Sequence, residues 1–118
     1  MGKMNIPEKM AKTKAEVIRV VKRYLKEAQQ VCSVDKAVLF GSHARGKATR
    51  QSDIDIAIFS RSVTDKNRIE TLSKLIMLIA EFKRDIQPVV FSYNDYLGED
   101  NDFISEEIKK KGIEVSLQ

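Results

Sequence analysis

The chain has 118 residues, a net charge of +4, 42% apolar and 32% charged residues, which suits one compact core and excludes wholesale disorder. A lone Cys32 excludes an intrachain disulfide framework, and a lone His43 excludes a histidine-built zinc site. With no Trp and few aromatic residues there is no set of base-stacking platforms, so nucleic acid is not an expected partner.

No composition shift or Gly/Ser-rich linker marks a second domain. The expected division is a flexible basic N-terminus over residues 1–14 and a single domain over residues 15–118. Lys3, Lys9, Lys12, Lys14, Arg19, Lys22, Arg23 and Lys26 stand against two Glu in the first 26 residues. Such an excess is either a solvated helix face or an attraction for a nucleotide or an acidic partner. No apolar run has the length of a secretory leader or of a membrane span, and the expected location is the cytoplasm.

Residues 1–6 read as a loose start, and Pro7-Glu8 can open a helix. From Lys14 the signal is clearer: Val17, Val20, Val21, Tyr24, Leu25 and Ala28 recur at helical spacing, leaving Arg19, Lys22, Arg23 and Lys26 on the other side. Ala37-Val38-Leu39-Phe40 is a short apolar run stopped by Gly41, which predicts a buried strand. A short helical turn is expected over Ala44–Ala48, with its first amides directed back to Gly41-Ser42, where they favour an anion.

From Ser52 to Ser60 the residues alternate. Asp53, Asp55, Ala57 and Phe59 fall on one side of a strand and Ile54, Ile56 and Ile58 on the other. The isoleucine side predicts core, whereas the two acids must meet water, a cation or a metal. The next helix is predicted to start around Asp65–Arg68 and to end near Lys83-Arg84. Its broad apolar face comprises Ile69, Leu72, Leu75, Ile76, Leu78, Ile79 and Phe82, widened by Met77 and Ala80; that width is core, or in part a surface for a homo-oligomer. Asp85 through Phe91 predicts a third strand, placed at an edge by Pro88. A turn or short helix comes next at Ser92–Asp95, then a helix from Phe103 to Lys111 stopped by Gly112, and a short final strand at Ile113–Val115. This order describes an α/β (α+β) fold, a small mixed β-sheet with helices packed against it.

The chemistry concentrates in Phe40–Ile56. Two carboxylates at alternate strand positions can hold divalent cations for phosphoryl transfer, and Asp85 on a neighbouring strand is the candidate for a third acid. Gly41 lets the backbone approach a phosphate and Ser42 can donate its hydroxyl and amide. Arg45 and Lys47 add cations that either meet phosphate or pair with a nearby acid. His43 reads as a loop residue.

A strand, Gly41-Ser42, ten intervening residues and then Asp53-Ile54-Asp55 together resemble the nucleotidyltransferase superfamily that includes DNA polymerase beta. Ala44-Arg45-Gly46 and Ser52 further resemble its minimal single-domain members, the MNT domains. The likeness spans about residues 15–92, and its specific part is residues 40–56. The resemblance implies the nucleotidyltransferase fold and transfer of a nucleoside monophosphate, AMP from ATP, to a hydroxyl, with two Mg²⁺ ions and release of pyrophosphate. By position it gives Asp53, Asp55 and Asp85 as metal ligands and catalytic acids, and Gly41 and Ser42 as triphosphate contacts, joined by Arg45. It also implies a partner, since MNT domains are frequently paired with HEPN-type toxins and some act as antitoxins by adding AMP to a tyrosine of the toxin. Two alternatives remain open at this point: a non-catalytic toxin-binding antitoxin, and transfer to a small-molecule hydroxyl as in aminoglycoside-modifying enzymes.

Overall fold

The computed structural model of the chain describes residues 8–49 and 51–117. The expected loose start over residues 1–6 lies outside them. Helix α1 spans Glu8–Ala28. Strand β1, Lys36–Phe40, leads through a single 3₁₀ turn, Gly41–His43, and a longer loop into β2, Ile54–Ser60. Helix α2, Arg68–Met77, tightens into a 3₁₀ turn, Leu78–Glu81, ahead of β3, Ile86–Ser92. A short helix α3, Tyr93–Leu97, a π-helical segment, Phe103–Lys110, and β4, Ile113–Glu114, complete the order.

The four strands form one mixed sheet in the order β3-β2-β1-β4. β1 runs antiparallel to β2 and to β4, and β2 runs parallel to β3. A parallel pair needs a crossover, and α2 with its 3₁₀ extension supplies it. Because β1 and β2 are antiparallel, Phe40 at the end of β1 pairs with Asp55 near the start of β2. The loop after Phe40 therefore begins beside the acids.

Apolar side chains cover both faces of the sheet. On one, Val17, Val21, Tyr24, Leu25 and Ala28 of α1 and Leu75 of α2 pack on Ala37, Leu39, Ile54, Ile56, Ile58, Ile86 and Val90. The predicted face of α1 is thus the packed one, with Arg19, Lys22, Arg23 and Lys26 exposed opposite it. The buried Tyr24 hydroxyl donates to the Leu75 carbonyl at 2.7 Å and ties the two helices together. On the second face, Ile104 and Ile108 of the π-helical segment cover Val38, Phe40, Ala57, Phe59 and Phe91. The Phe59 ring lies 5.5 Å from Phe91 and 5.0 Å from Tyr96, and burying such a ring contributes about 2–3 kcal/mol.

Three expectations need correction. The apolar face of α2 is narrower than its sequence: Leu75 is buried and Leu72, Leu78, Ile79 and Phe82 pack partly, but Ile69, Ile76 and Met77 are 81%, 50% and 76% exposed. The helix ends at Met77 instead of near Lys83-Arg84, and the change to three residues per turn shifts the phase of the residues after it. The helical turn expected at Ala44–Ala48 lies three residues earlier. Gly41 adopts φ +74°, a conformation open to glycine, so the chain turns as soon as β1 ends. Pro88, as predicted, is on an edge strand. The Ile54 N–H donates to the Asp85 carbonyl at 2.8 Å, so odd-numbered residues of β3 direct their backbone groups to β2 and even-numbered ones direct theirs outward. The missing N–H of Pro88 falls on the outward side, where it breaks no ladder bond.

Candidate active site

The site forms where β1 ends and β2 begins. Ala44 and Arg45 N–H both donate to the Gly41 carbonyl at 3.1 Å, and Lys47 N–H donates to the Ser42 carbonyl at 3.0 Å. These bonds wind residues 41–47 into a tight loop, which ends at Gly46, also at positive φ. At the far end Thr49 N–H donates to the Ser52 hydroxyl at 2.9 Å and Ser52 N–H to the Thr49 carbonyl at 3.1 Å. Between them sits His43, buried, with Nε2 3.3 Å from the Ser52 carbonyl. A carbonyl only accepts, so Nε2 carries the proton and the imidazole latches the loop to the entry of β2. Burial, aided by the positive charge of Arg84, pushes the His43 pKa down, against the pull of the Ser52 carbonyl and Asp55.

Asp53, the residue just before β2, is exposed, and Asp55 within it is half-buried. Burial pushes the Asp55 carboxyl up, and repulsion from Asp53 pushes it further, while His43 and Arg45 partly offset both. A Cβ at Gly41 would run into the Asp55 carboxylate, so only glycine fits between the loop and this acid. Ser42 is half-buried and Arg45 exposed on the same loop. Of the predicted residues, the structure therefore brings together Gly41, Ser42, Arg45, Asp53 and Asp55.

Asp85 stands apart. Continuing the β2–β3 register one step beyond Ile54 and Ile86 puts it beside Asp53, and its carbonyl holds the Ile54 N–H. Its side chain, however, is exposed and lines a surface cavity of about 350 Å³ with Ile76, Ile79, Ala80, Ile86, Gln87 and Pro88. Among the described residues no three His, Cys, Asp or Glu side chains gather as a metal cage. Opposite Asp55 in the ladder is Gln87, which carries no charge. The pair Asp53–Asp55 still suits a hard divalent cation: its donors are carboxylate oxygens, and the mutual repulsion of two adjacent acids is what a dication relieves.

Two contributors were not found from the sequence. His43 acts as a latch, a role hinted at only by its place two residues after Gly41. Arg84 reaches the site electrostatically from the bend before β3, and its adjacency to Asp85 was the one available signal. Cys32 is buried and its thiol is pushed up by that burial, the opposite of what a thiolate nucleophile requires.

The model of the nucleotidyltransferase domain matches residues 18–117. The chain belongs to this family. Among relatives, it is 27% identical over 106 residues to "Putative protein adenylyltransferase MJ0141" of Methanocaldococcus jannaschii, covering 85% of this chain and 99% of that protein. It is 39% identical over 64 residues to "Putative protein adenylyltransferase MJ1379" of the same organism, covering 54% of this chain and 57% of that one. In three dimensions it resembles a crystal structure titled as a putative nucleotidyltransferase from Sulfolobus solfataricus, with TM-score 0.64 and 16% identity over 95% of this chain and 90% of the other. At that identity the likeness concerns the fold, which is the nucleotidyltransferase fold. Among the described residues no helix is long and apolar enough to cross a membrane.

Proposed function

We propose that this nucleotidyltransferase domain transfers AMP from ATP to a hydroxyl of a protein, with Mg²⁺ as cofactor. The observation that carries the reading is the Asp53–Asp55 pair, set at the entry of β2 with Asp55 against Gly41 at the start of the loop. Asp53 and Asp55 are the residues that would hold Mg²⁺, whose chemistry is to neutralise charge on the phosphate oxygens during transfer. Gly41 and Ser42 bind the triphosphate through backbone amides and the Ser42 hydroxyl, and Arg45 adds a guanidinium. The acceptor oxygen attacks the α-phosphorus in line, the bond to the bridging oxygen of pyrophosphate breaks, and pyrophosphate leaves. To Asp85 we assign the proton of the attacking hydroxyl, as the third acid of the site. Most of the rate enhancement then comes from positioning and from charge stabilisation.

The protein acceptor is supported by the names of four relatives, each called "putative protein adenylyltransferase". A tyrosine of a HEPN-type toxin, encoded beside this chain and silenced by it, is the specific acceptor proposed, and the location is the cytoplasm. Incubation with that neighbour, ATP and Mg²⁺ should add the mass of AMP to it, and Asp53→Asn with Asp55→Asn should abolish the addition. Transfer that persists in the double variant refutes the catalytic assignment. The position of Asp85 outside a three-acid cage favours one second reading, a module that neutralises its partner by binding alone. Neutralisation that survives the double variant would establish it.

A further inference from the structure

Arg84 occupies the bend between the 3₁₀ turn Leu78–Glu81 and β3. It is held there because the next residue, Asp85, accepts the Ile54 N–H through its carbonyl at 2.8 Å. That bond fixes the Arg84 backbone at the start of the β2–β3 pair, close to the carboxylates. The side chain is half-buried and its Nη2 is fully buried, yet Nη2 has no hydrogen-bond partner. No ion pair or ring contact engages the guanidinium among the described residues either. Other arginines show what a satisfied one looks like: Arg61 pairs with Asp35 at 2.9 Å and covers the Tyr93 ring, and Arg68 donates Nε–H to the Val90 carbonyl at 2.7 Å and covers Phe91.

A guanidinium does not lose its proton under ordinary conditions, so burial cannot neutralise Arg84 as it can a lysine or a carboxyl. A buried cationic donor without an acceptor is costly, and proteins keep such groups where the acceptor arrives later. The charge of Arg84 is felt by His43, the latch of the loop. Asp85 is its neighbour in the chain and the register brings Asp53 beside Asp85, but neither forms an ion pair with Arg84. What is missing is an anion, and the ligand of this site that brings one is the triphosphate.

We propose that Arg84 is a phosphate-binding residue, its unpartnered guanidinium turning out of its covered position to donate to a non-bridging phosphate oxygen of the bound nucleoside triphosphate. This rests on the nucleotide reading above and adds a second cationic contact at the β3 edge of the carboxylate pair, across the sheet from Arg45. Arginine suits this role because its fork matches phosphate oxygens, whereas the acceptor hydroxyl offers it no charge.

The test is calorimetric titration of the full chain and of Arg84→Gln and Arg84→Lys with ATP, AMP and pyrophosphate, each with Mg²⁺, alongside thermal unfolding without ligand. Arg84→Gln should bind ATP roughly tenfold to a hundredfold more weakly, the loss of one charged hydrogen bond. It should unfold at the same or a higher temperature, since an unpaired buried charge is gone, and Arg84→Lys should recover part of the affinity. A loss shared with AMP assigns the contact to the α-phosphate, and one shared with pyrophosphate assigns it to the β- or γ-phosphate. ATP affinity unchanged in Arg84→Gln overturns the proposal, as does a loss that merely tracks a fall in unfolding temperature and is not relieved by lysine. If the unaltered chain binds none of the three ligands, the nucleotide reading itself fails; if it binds and Arg84→Gln binds equally, only the role of Arg84 does.

Discussion

Gly41→Ala places two distinct burdens on one position, and the structure supplies a control that separates them. Gly41 and Gly46 have nearly the same backbone, φ +74° and +73°. An alanine in this left-handed region costs about 1–2 kcal/mol at either site. For a domain of this size that is a fall in Tm of about 4–8 °C. The surroundings differ: a Cβ at Gly41 runs into the Asp55 carboxylate, whereas a Cβ at Gly46 meets nothing within 4 Å. Gly41→Ala must therefore displace the acid as well as strain the loop, and a shift of about 1 Å in a catalytic group costs about a hundredfold in rate. Denaturation curves should show both variants destabilised, Gly41→Ala at least as much as Gly46→Ala. AMP transfer, followed with α-labelled ATP, should fall about a hundredfold in Gly41→Ala and by no more than a few-fold in Gly46→Ala. Equal activities in the two would refute the claim that glycine at position 41 is there to make room for Asp55.

Burial and Asp53 both work against an ionised Asp55, so Asp55→Asn should raise Tm in the absence of divalent cations. Thermal melts with and without Mg²⁺ should then show stabilisation by the ion in the unaltered protein and none in the variant. At the opposite end of the sheet, partial burial pushes the Asp35 carboxyl up. Hydrogen bonds from the Arg61 N–H at 2.7 Å and the Ser33 hydroxyl at 2.8 Å, with the Arg61 ion pair, outweigh it and leave the pKa below its ordinary value. A depressed carboxyl stabilises the fold above its unfolded pKa and loses that contribution as pH falls through its folded one. Asp35→Asn should thus cost about 1 kcal/mol at pH 7, and the difference should fade in a denaturation series as the pH falls through the folded pKa. On α2, Leu75→Ala should cost about 2–5 kcal/mol, because its side chain is fully buried, while Met77→Ser should change stability by less than about 0.5 kcal/mol.

What sequence reasoning recovered was set by local rules. β1, β2 and the Gly41-Ser42 junction follow from run length, alternation and a glycine stop, and each depends on few neighbours. The apolar residues of α2 span more of its circumference than the sheet covers: Leu75 is buried, while Ile76 and Met77 in its last turn and Ile69 in its first are left in solvent. The π-helical segment was legible as a helix but not as a wide one, since Ile104 and Ile108 lie on one face in either form. Arg84 had only its adjacency to Asp85 to mark it. A sequence counts cations, but only packing shows which of them lacks an acceptor.

The position of the acids on β2 is set by how the second face of the sheet is closed. Asp53, just before that strand, is exposed, and along one side of the strand Asp55 is half-buried and Ala57 and Phe59 are fully buried under the π-helical segment. Over that short length the same face passes from water to dry core. A carboxylate two positions further along would sit unpaired in that core, at a cost no nearby cation offsets, whereas two positions earlier Asp53 already lies in solvent. Asp55 is therefore the deepest acid this face can hold. Its raised pKa and its contact with Gly41 are two consequences of that depth, and both come from covering Phe59 while leaving the start of β2 open.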